Sequence, residues 1–287
     1  MLVGMGRQRA LVVLMLAGAL GVVGLMTSSS AHGDEKVIER GPITAVTAPG
    51  AGSSRSVGWV YRGHLEDGEF LEASANVHHV ERFAEHGRFF GTSAMVGLLE
   101  RAAVQVTELH GPARLNVGEL SQEGGGDVIG HRSHENGRDV DVGFYLLDDD
   151  GNSVEPERFV RIGGSGRGGD GEQRVTFDTA RNWAFIEALV TDETSPVQMV
   201  FVSRSIRRRL VRWARAQGVD PEIVERAEWT LIPPEGVARH DDHFHVRIYC
   251  EPGEREACYD RGPYWQWVPE SHVPQEAELL PRYWPHD

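Results

Sequence analysis

Residues 240–249 read HDDHFHVRIY, and residues 139–147 read DVDVGFYLL. In the second stretch Val140, Val142 and Phe144 alternate with Asp139, Asp141 and Gly143. That is the period of a strand with one apolar and one polar face. The spacing predicts a further strand over 243–249. His243 and His245 stand two apart in it, so both imidazoles project from one face. Two such strands bring carboxylates and imidazoles to the surface of a sheet, and they set the search for the rest of the fold.

Working outward, residues 94–109 carry apolar residues at Met95, Leu98, Leu99, Ala102, Val106 and Leu109, the spacing of a helix with one buried stripe. Thr92 or Ser93 can cap it, and His110 falls at its end. Residues 114–120 alternate as a strand. Asp178 caps a helix beginning TARNWAFIEALV, 197–202 form a short buried strand, and 204–217 form a basic amphipathic helix closed by Gly218. Residues 229–232 read as another strand. The run Arg207-Arg208-Arg209 is a solvated helix face. Residues 148–174 form a polar, glycine-rich insertion without the G-x-x-x-x-G-K-[ST] pattern, so it reads as a surface loop and not a phosphate cradle. Short helices between separated strands predict an α+β fold: a small antiparallel sheet with flanking helices and the site in a cleft on the sheet.

The chain has 287 residues, 40% hydrophobic and 25% charged, an ordinary globular composition. Its formal net charge is -14. Phosphate and anionic lipid both need clustered cations, so this charge argues against nucleic-acid and polybasic membrane-surface functions. Arg7 and Arg9, an apolar run over 10–26 and Ser29-Ser30-Ala31 predict a signal peptide over 1–31 and export to the periplasm or beyond it; the alternative is an uncleaved anchor helix, for which the run is slightly short, and after cleavage no stable membrane insertion is expected. A linker is expected over 32–57, the main domain over 58–260 and an irregular tail over 261–287. The two cysteines, Cys250 and Cys258, close a short loop. In an oxidising compartment they predict a disulfide, contributing about 2–3 kcal/mol in the chain-entropy model.

Thirteen histidines are present, and two clusters stand out: His131 and His134 before Asp141, and His240, His243 and His245. Imidazole and carboxylate together suit zinc. His134 precedes a predicted strand, Gly137 permits a turn, and Asp141 follows seven residues on, so both can converge on one ion. Three protein ligands would leave a fourth position open, the catalytic pattern. Glu135 after His134 does not make an H-E-x-x-H helix, because Arg138 stands where the second His belongs. Asp139 is either a hydrogen-bond partner of a ligand histidine or simply solvated. His32, His64, His78, His79, His86, His272 and His286 are read as surface residues without a role.

Ser133-His134-x-x-Gly137-x-x-x-Asp141 with His243-x-His245 resembles the lysostaphin and D-Ala-D-Ala metallopeptidase superfamily. Gly130-His131-x-Ser133-His134 and His240-x-x-His243-x-His245-Val246-Arg247 resemble, more narrowly, the penicillin-insensitive murein endopeptidase family, over roughly residues 57–260. The resemblance implies a zinc peptidase acting on peptidoglycan stem peptides, at the D-alanyl–meso-diaminopimelyl cross-link. It implies His134, Asp141 and His245 as zinc ligands, His131 as a possible additional one, and His243 as the base or transition-state stabiliser, with His240 beside it. Neutral His243 would take a proton from the activated water, and His240 would support the oxyanion. The same residues leave open a D,D-carboxypeptidase, a zinc-containing wall-binding module or a structural envelope protein. The family's other cysteines are absent, and the 148–174 insertion is unusual for it.

Overall fold

The computed structural model describes residues 54–234 and 239–275. The expected signal peptide lies outside the described residues, as do residues 32–53 of the expected linker, residues 276–287 of the expected tail, and His32 and His286. Among the described residues, no helix is long and apolar enough to cross a membrane.

Among the described residues, six strands form the central sheet. Their spatial order is Leu231–Ile232, Val197–Phe201, His243–Ile248, Asp139–Gly143, Leu115–Val117 and Val77–His79. The three inner pairings are antiparallel, as expected. The two outermost pairings are parallel instead. Each outer pair is joined through helix: Ser93–His110 on one side, Arg204–Gln217 and Pro221–Thr230 on the other. Parallel neighbours require such a crossover, so the helices flank a mixed sheet.

One face of the sheet is apolar. Val140, Val142, Phe244, Val246 and Ile248 are all buried in the main core. Phe244 lies 6.0 Å from Phe185 of the Thr179–Thr191 helix, which packs against Ser93–His110. Each such aliphatic or aromatic side chain contributes about 1.5–3 kcal/mol when fully buried. The alternating residues His243, His245, Arg247, Asp139 and Asp141 are thereby turned to the opposite face. The helix starts follow the expected chemistry. Thr92 Oγ1 accepts from Met95 N at 3.2 Å, and Asp178 Oδ1 accepts from Arg181 N at 3.1 Å. Gly218 ends its helix in the left-handed region at φ 74°. Leu109, the last member of the apolar series, is exposed.

Three local expectations give way. Trp229 and Thr230 are helical, not extended: the Pro221–Thr230 helix starts at Asp220, whose Oδ1 accepts from Glu222 N at 2.8 Å, with proline in the first turn. The run 139–147 is not one strand. The Asn182 side chain accepts from Tyr145 N at 3.1 Å and donates to Tyr145 O at 2.8 Å, drawing the chain out of the ladder. Leu146–Leu147 then joins a second sheet with Ser153–Val154, Val175–Phe177 and Arg167–Gly168. The 148–174 insertion is therefore partly sheet; its two-residue strands are too short to show alternation.

The hairpin Arg55–Trp59 and Arg62–Glu66 begins ahead of residue 58 and is tied to the end of the domain. Gly58 N donates to Ala257 O at 2.8 Å, and Tyr259 N donates to Gly58 O at 3.0 Å. Cys250 and Cys258 form the expected disulfide beneath it. Buried Arg138 links three segments, donating to Ser56 Oγ at 3.1 Å, Ile248 O at 3.0 Å and Tyr259 O at 3.0 Å. Residues 261–275 hold one 3-10 turn, Glu270–His272, and bury Tyr264, Trp265 and Val268 beside Tyr249.

Arg138→Met removes a buried donor from the Ser56 hydroxyl and the Ile248 carbonyl, and one from the Tyr259 carbonyl, and is expected to cost about 2–4 kcal/mol in urea unfolding. Glu254 provides a pH test. Burial raises its carboxyl to about 7, against the opposing hydrogen bond from Ser56 N at 3.3 Å. Its folded form holds the proton more firmly than the unfolded chain. Its contribution is therefore complete below the ordinary value of 4.5 and lost as pH rises through about 7. Glu254→Gln should flatten thermal stability across that window relative to the parent chain.

Candidate functional site

Register places the site. His245 pairs opposite Asp141, His243 opposite Gly143 and Arg247 opposite Asp139. His134 joins them from the loop before the Asp139–Gly143 strand. It sits at φ 75°, an unusual conformation for a residue with a side chain. Ser121 Oγ donates to the His134 carbonyl and accepts from Gly137 N at 2.9 Å, which fixes the turn. Gly137 is required there: it has φ 79°, and a Cβ would fall 2.9 Å from Thr92 N.

Three donor atoms form a compact triangle. Asp141 Oδ1 lies 2.9 Å from His245 Nδ1, His245 Nδ1 lies 3.3 Å from His134 Nε2, and His134 Nε2 lies 3.5 Å from Asp141 Oδ1. Tetrahedral coordination with bonds near 2.0 Å sets ligand atoms about 3.3 Å apart. His131 Nδ1 lies 3.5 Å from Asp141 Oδ2, and ligating atoms of His131, His134 and Asp141 all fall within 4.8 Å of one another. His243 Nε2 lies 3.5 Å from Asp141 Oδ1. His240, at φ 48°, brings its ring to 4.9 Å from His243 and 5.9 Å from His245. All six site residues expected from the sequence thus meet at one place.

Charge supports a cation there. Asp139 is buried but neutralised by Arg247, whose Nε and Nη2 donate to its two oxygens at 2.6 and 2.8 Å. Among the described residues, the ion-pair neighbours of buried Asp141 are imidazoles alone. A buried carboxylate so placed lacks a permanent positive partner, and a metal ion among those nitrogens would supply one. Burial alone would raise the Asp141 carboxyl, yet His243 and His134 pull it well below the usual carboxylate range. Burial lowers His134, keeping its imidazole neutral as a ligand must be. Burial also disfavours charged His245, but Asp139 and Asp141 outweigh it and raise it to about 9; a metal would compete with that proton.

Hydrogen bonds orient the rings. His134 Nδ1 lies 3.0 Å from Leu120 O, which can only accept, so the proton sits on Nδ1 and Nε2 faces the triangle. His243 Nδ1 lies 2.7 Å from Asp242 Oδ1, which likewise leaves Nε2 facing Asp141. Asp139 is not solvated. It accepts from His134 N at 3.4 Å and lies 3.5 Å from His245 Nε2, long for a hydrogen bond.

Three neighbours escape a reading of the sequence. Buried Glu119 lies 2.7 Å from His131 Nε2 and 2.6 Å from His86 Nδ1, and accepts from Arg88 Nη1 at 3.0 Å. Burial alone would raise its carboxyl, but these partners hold it at about 2. Asp242 is visible only as a carboxylate beside His243. Phe159, inside the insertion, stacks on His243 with ring centres 5.0 Å apart and planes at 24°. Gly118 and Gly143 make room for it; a Cβ on Gly143 would fall 2.8 Å from its ring. Among the histidines expected to be idle, His86 is tied to this network through Glu119. His79 Nε2 donates to Leu71 O at 2.8 Å and its ring stacks on Phe89 3.7 Å away, and His272 is buried near Glu251. Leu71 offers a carbonyl, so His79 Nε2 is the donor. His64 and His78 face Glu66 and Glu155.

Residues 56–266 match the family model described as penicillin-insensitive murein endopeptidase. A protein of that name from Klebsiella pneumoniae subsp. pneumoniae is 27% identical over 227 residues, covering 77% of this chain and 76% of the relative. One from Escherichia coli O139:H28 is 26% identical over 246 residues, covering 85% and 81%.

Asp141→Ala removes the anionic corner of the triangle. It is expected to weaken metal retention at least about a hundredfold, measured as metal per chain after dialysis against a graded chelator series.

Proposed function

Because the chain belongs to the penicillin-insensitive murein endopeptidase family, we propose that it is a zinc-dependent peptidase of the periplasm. Its substrate is the D-alanyl–meso-diaminopimelyl cross-link between peptidoglycan stem peptides. The observation that carries this reading is the His134–Asp141–His245 triangle with His243 Nε2 turned towards it. Two imidazoles and a carboxylate at tetrahedral spacing match the donor preference of zinc.

His134, Asp141 and His245 would hold the ion, with His131 as an additional donor. A zinc ion there would supply Lewis acidity towards the amide carbonyl and the attacking water. His243 does the proton transfer. Asp242 holds its Nδ1–H, so Nε2 is free to accept a proton from the attacking water. The water oxygen bonds to the carbonyl carbon, the carbon–nitrogen bond breaks, and His243 returns the proton to the leaving amine. Phe159 keeps the His243 ring in one plane through the stack. His240, beside that ring, can donate to the developing oxyanion. No side-chain nucleophile is acylated in this route.

Incubation with purified cross-linked muropeptide dimers, followed by mass spectrometry, tests the reading. Conversion to monomers should occur and stop with a zinc chelator. His243→Ala should retain its metal and lose about 10²–10⁴-fold in turnover. Loss of terminal D-Ala with dimers left intact would contradict endopeptidase action, and a fully active His243→Ala chain would contradict the proton-transfer role.

A further inference from the structure

Beside the His134–Asp141–His245 triangle, on the same face of the sheet, lies a cavity of about 110 Å³. Its floor is Arg247 and Met199, paired opposite each other across neighbouring strands. Trp59, Tyr61 and Tyr259 form its rim. Trp59 lies 5.9 Å from Tyr61 and 5.5 Å from Tyr259, and both tyrosines are 47% exposed, so the rim opens to solvent. Arg261 completes it, with its guanidinium 4.9 Å above the Trp59 ring.

The cavity and the metal triangle share a wall. Arg247 stands two residues from His245 along one strand, about 7 Å in extended chain. Asp139 joins them, bound by Arg247 at 2.6 and 2.8 Å and lying 3.5 Å from His245 Nε2. The Asp139 pairing uses Nε and Nη2 of Arg247, and among the described residues Nη1 makes no hydrogen bond. Nor does Arg261 form an ion pair among the described residues. In a chain of net charge -14, two guanidinium groups with spare donors meet at one aromatic-rimmed cavity. Stacking on Trp59 restrains the Arg261 head group while leaving its N–H edges outward.

We propose that this cavity is a carboxylate subsite, in which Arg261 and Arg247 Nη1 bind the free carboxylate of the substrate residue adjoining the scissile amide. The inference rests on the endopeptidase reading for its substrate. In the proposed cross-link, the diaminopimelyl carbon that bears the scissile nitrogen also bears a free carboxylate. A group so near the cleaved bond suits a cavity one residue pair from His245. The subsite would select cross-links that retain this charge over those in which it is amidated.

The test uses the zinc-loaded full chain carrying His243→Ala, so that substrate stays intact, and calorimetric titration with cross-linked dimers. One dimer carries the free diaminopimelyl carboxylate; the other is amidated there. Adding Arg261→Gln should weaken binding of the free-carboxylate dimer about tenfold and of the amidated dimer less than about twofold. Arg261→Lys should recover part of the loss. Equal losses on both dimers, or no loss on either, would overturn the subsite. Cleavage by chains with intact His243 is scored separately. Discrimination in binding without any cleavage would sink the endopeptidase reading and keep the subsite. Cleavage without discrimination would do the reverse.

Discussion

Antiparallel pairing of Asp139–Gly143 with His243–Ile248 sets His245 against Asp141 and Arg247 against Asp139. Everything in the site depends on that register. Side chains alternate with a period of two, so a one-residue slip would send the imidazoles into the core and Phe244 and Val246 towards solvent. The apolar face prevents the slip: Phe244, Val246, Val140 and Val142 are buried. The hydrophobic core thus enforces the geometry of the polar site on the opposite face.

The cost of that site is visible in its surroundings. Two carboxylates, Asp139 and Asp141, are buried within one strand. Asp139 is compensated by Arg247, whereas Asp141 relies on imidazoles, which are cationic only when protonated. His134 and His240 both adopt positive φ. Positive φ at two histidines and an undercompensated buried anion at one place fit a preorganised cation site.

Much of this was legible in the residues because it depends on local periodicity. The H-x-H pair on a strand, the alternation from Asp139 to Phe144, the capped helices at Thr92 and Asp178 and the short disulfide loop all carry short-range signals. What escaped depends on tertiary context. Nothing near Glu119 marks it as the carboxylate that would meet His131 and His86, and Phe159 lies in a segment whose strands are two residues long. The parallel outer pairings arise from helical crossovers, not from strand composition. The helix starting at Pro221 was marked by Asp220-Pro221, but aromatic and β-branched residues at its end, Trp229 and Thr230, imitated a strand.

His134, Asp141 and His245 are placed to hold one metal ion. Anomalous diffraction at the zinc edge, from crystals of the zinc-loaded full chain, would locate that ion. One strong peak is expected about 2.0–2.2 Å from His134 Nε2, an Asp141 carboxylate oxygen and His245 Nδ1. A peak held instead by His131 with Glu119 and His86, and none within the triangle, would contradict it.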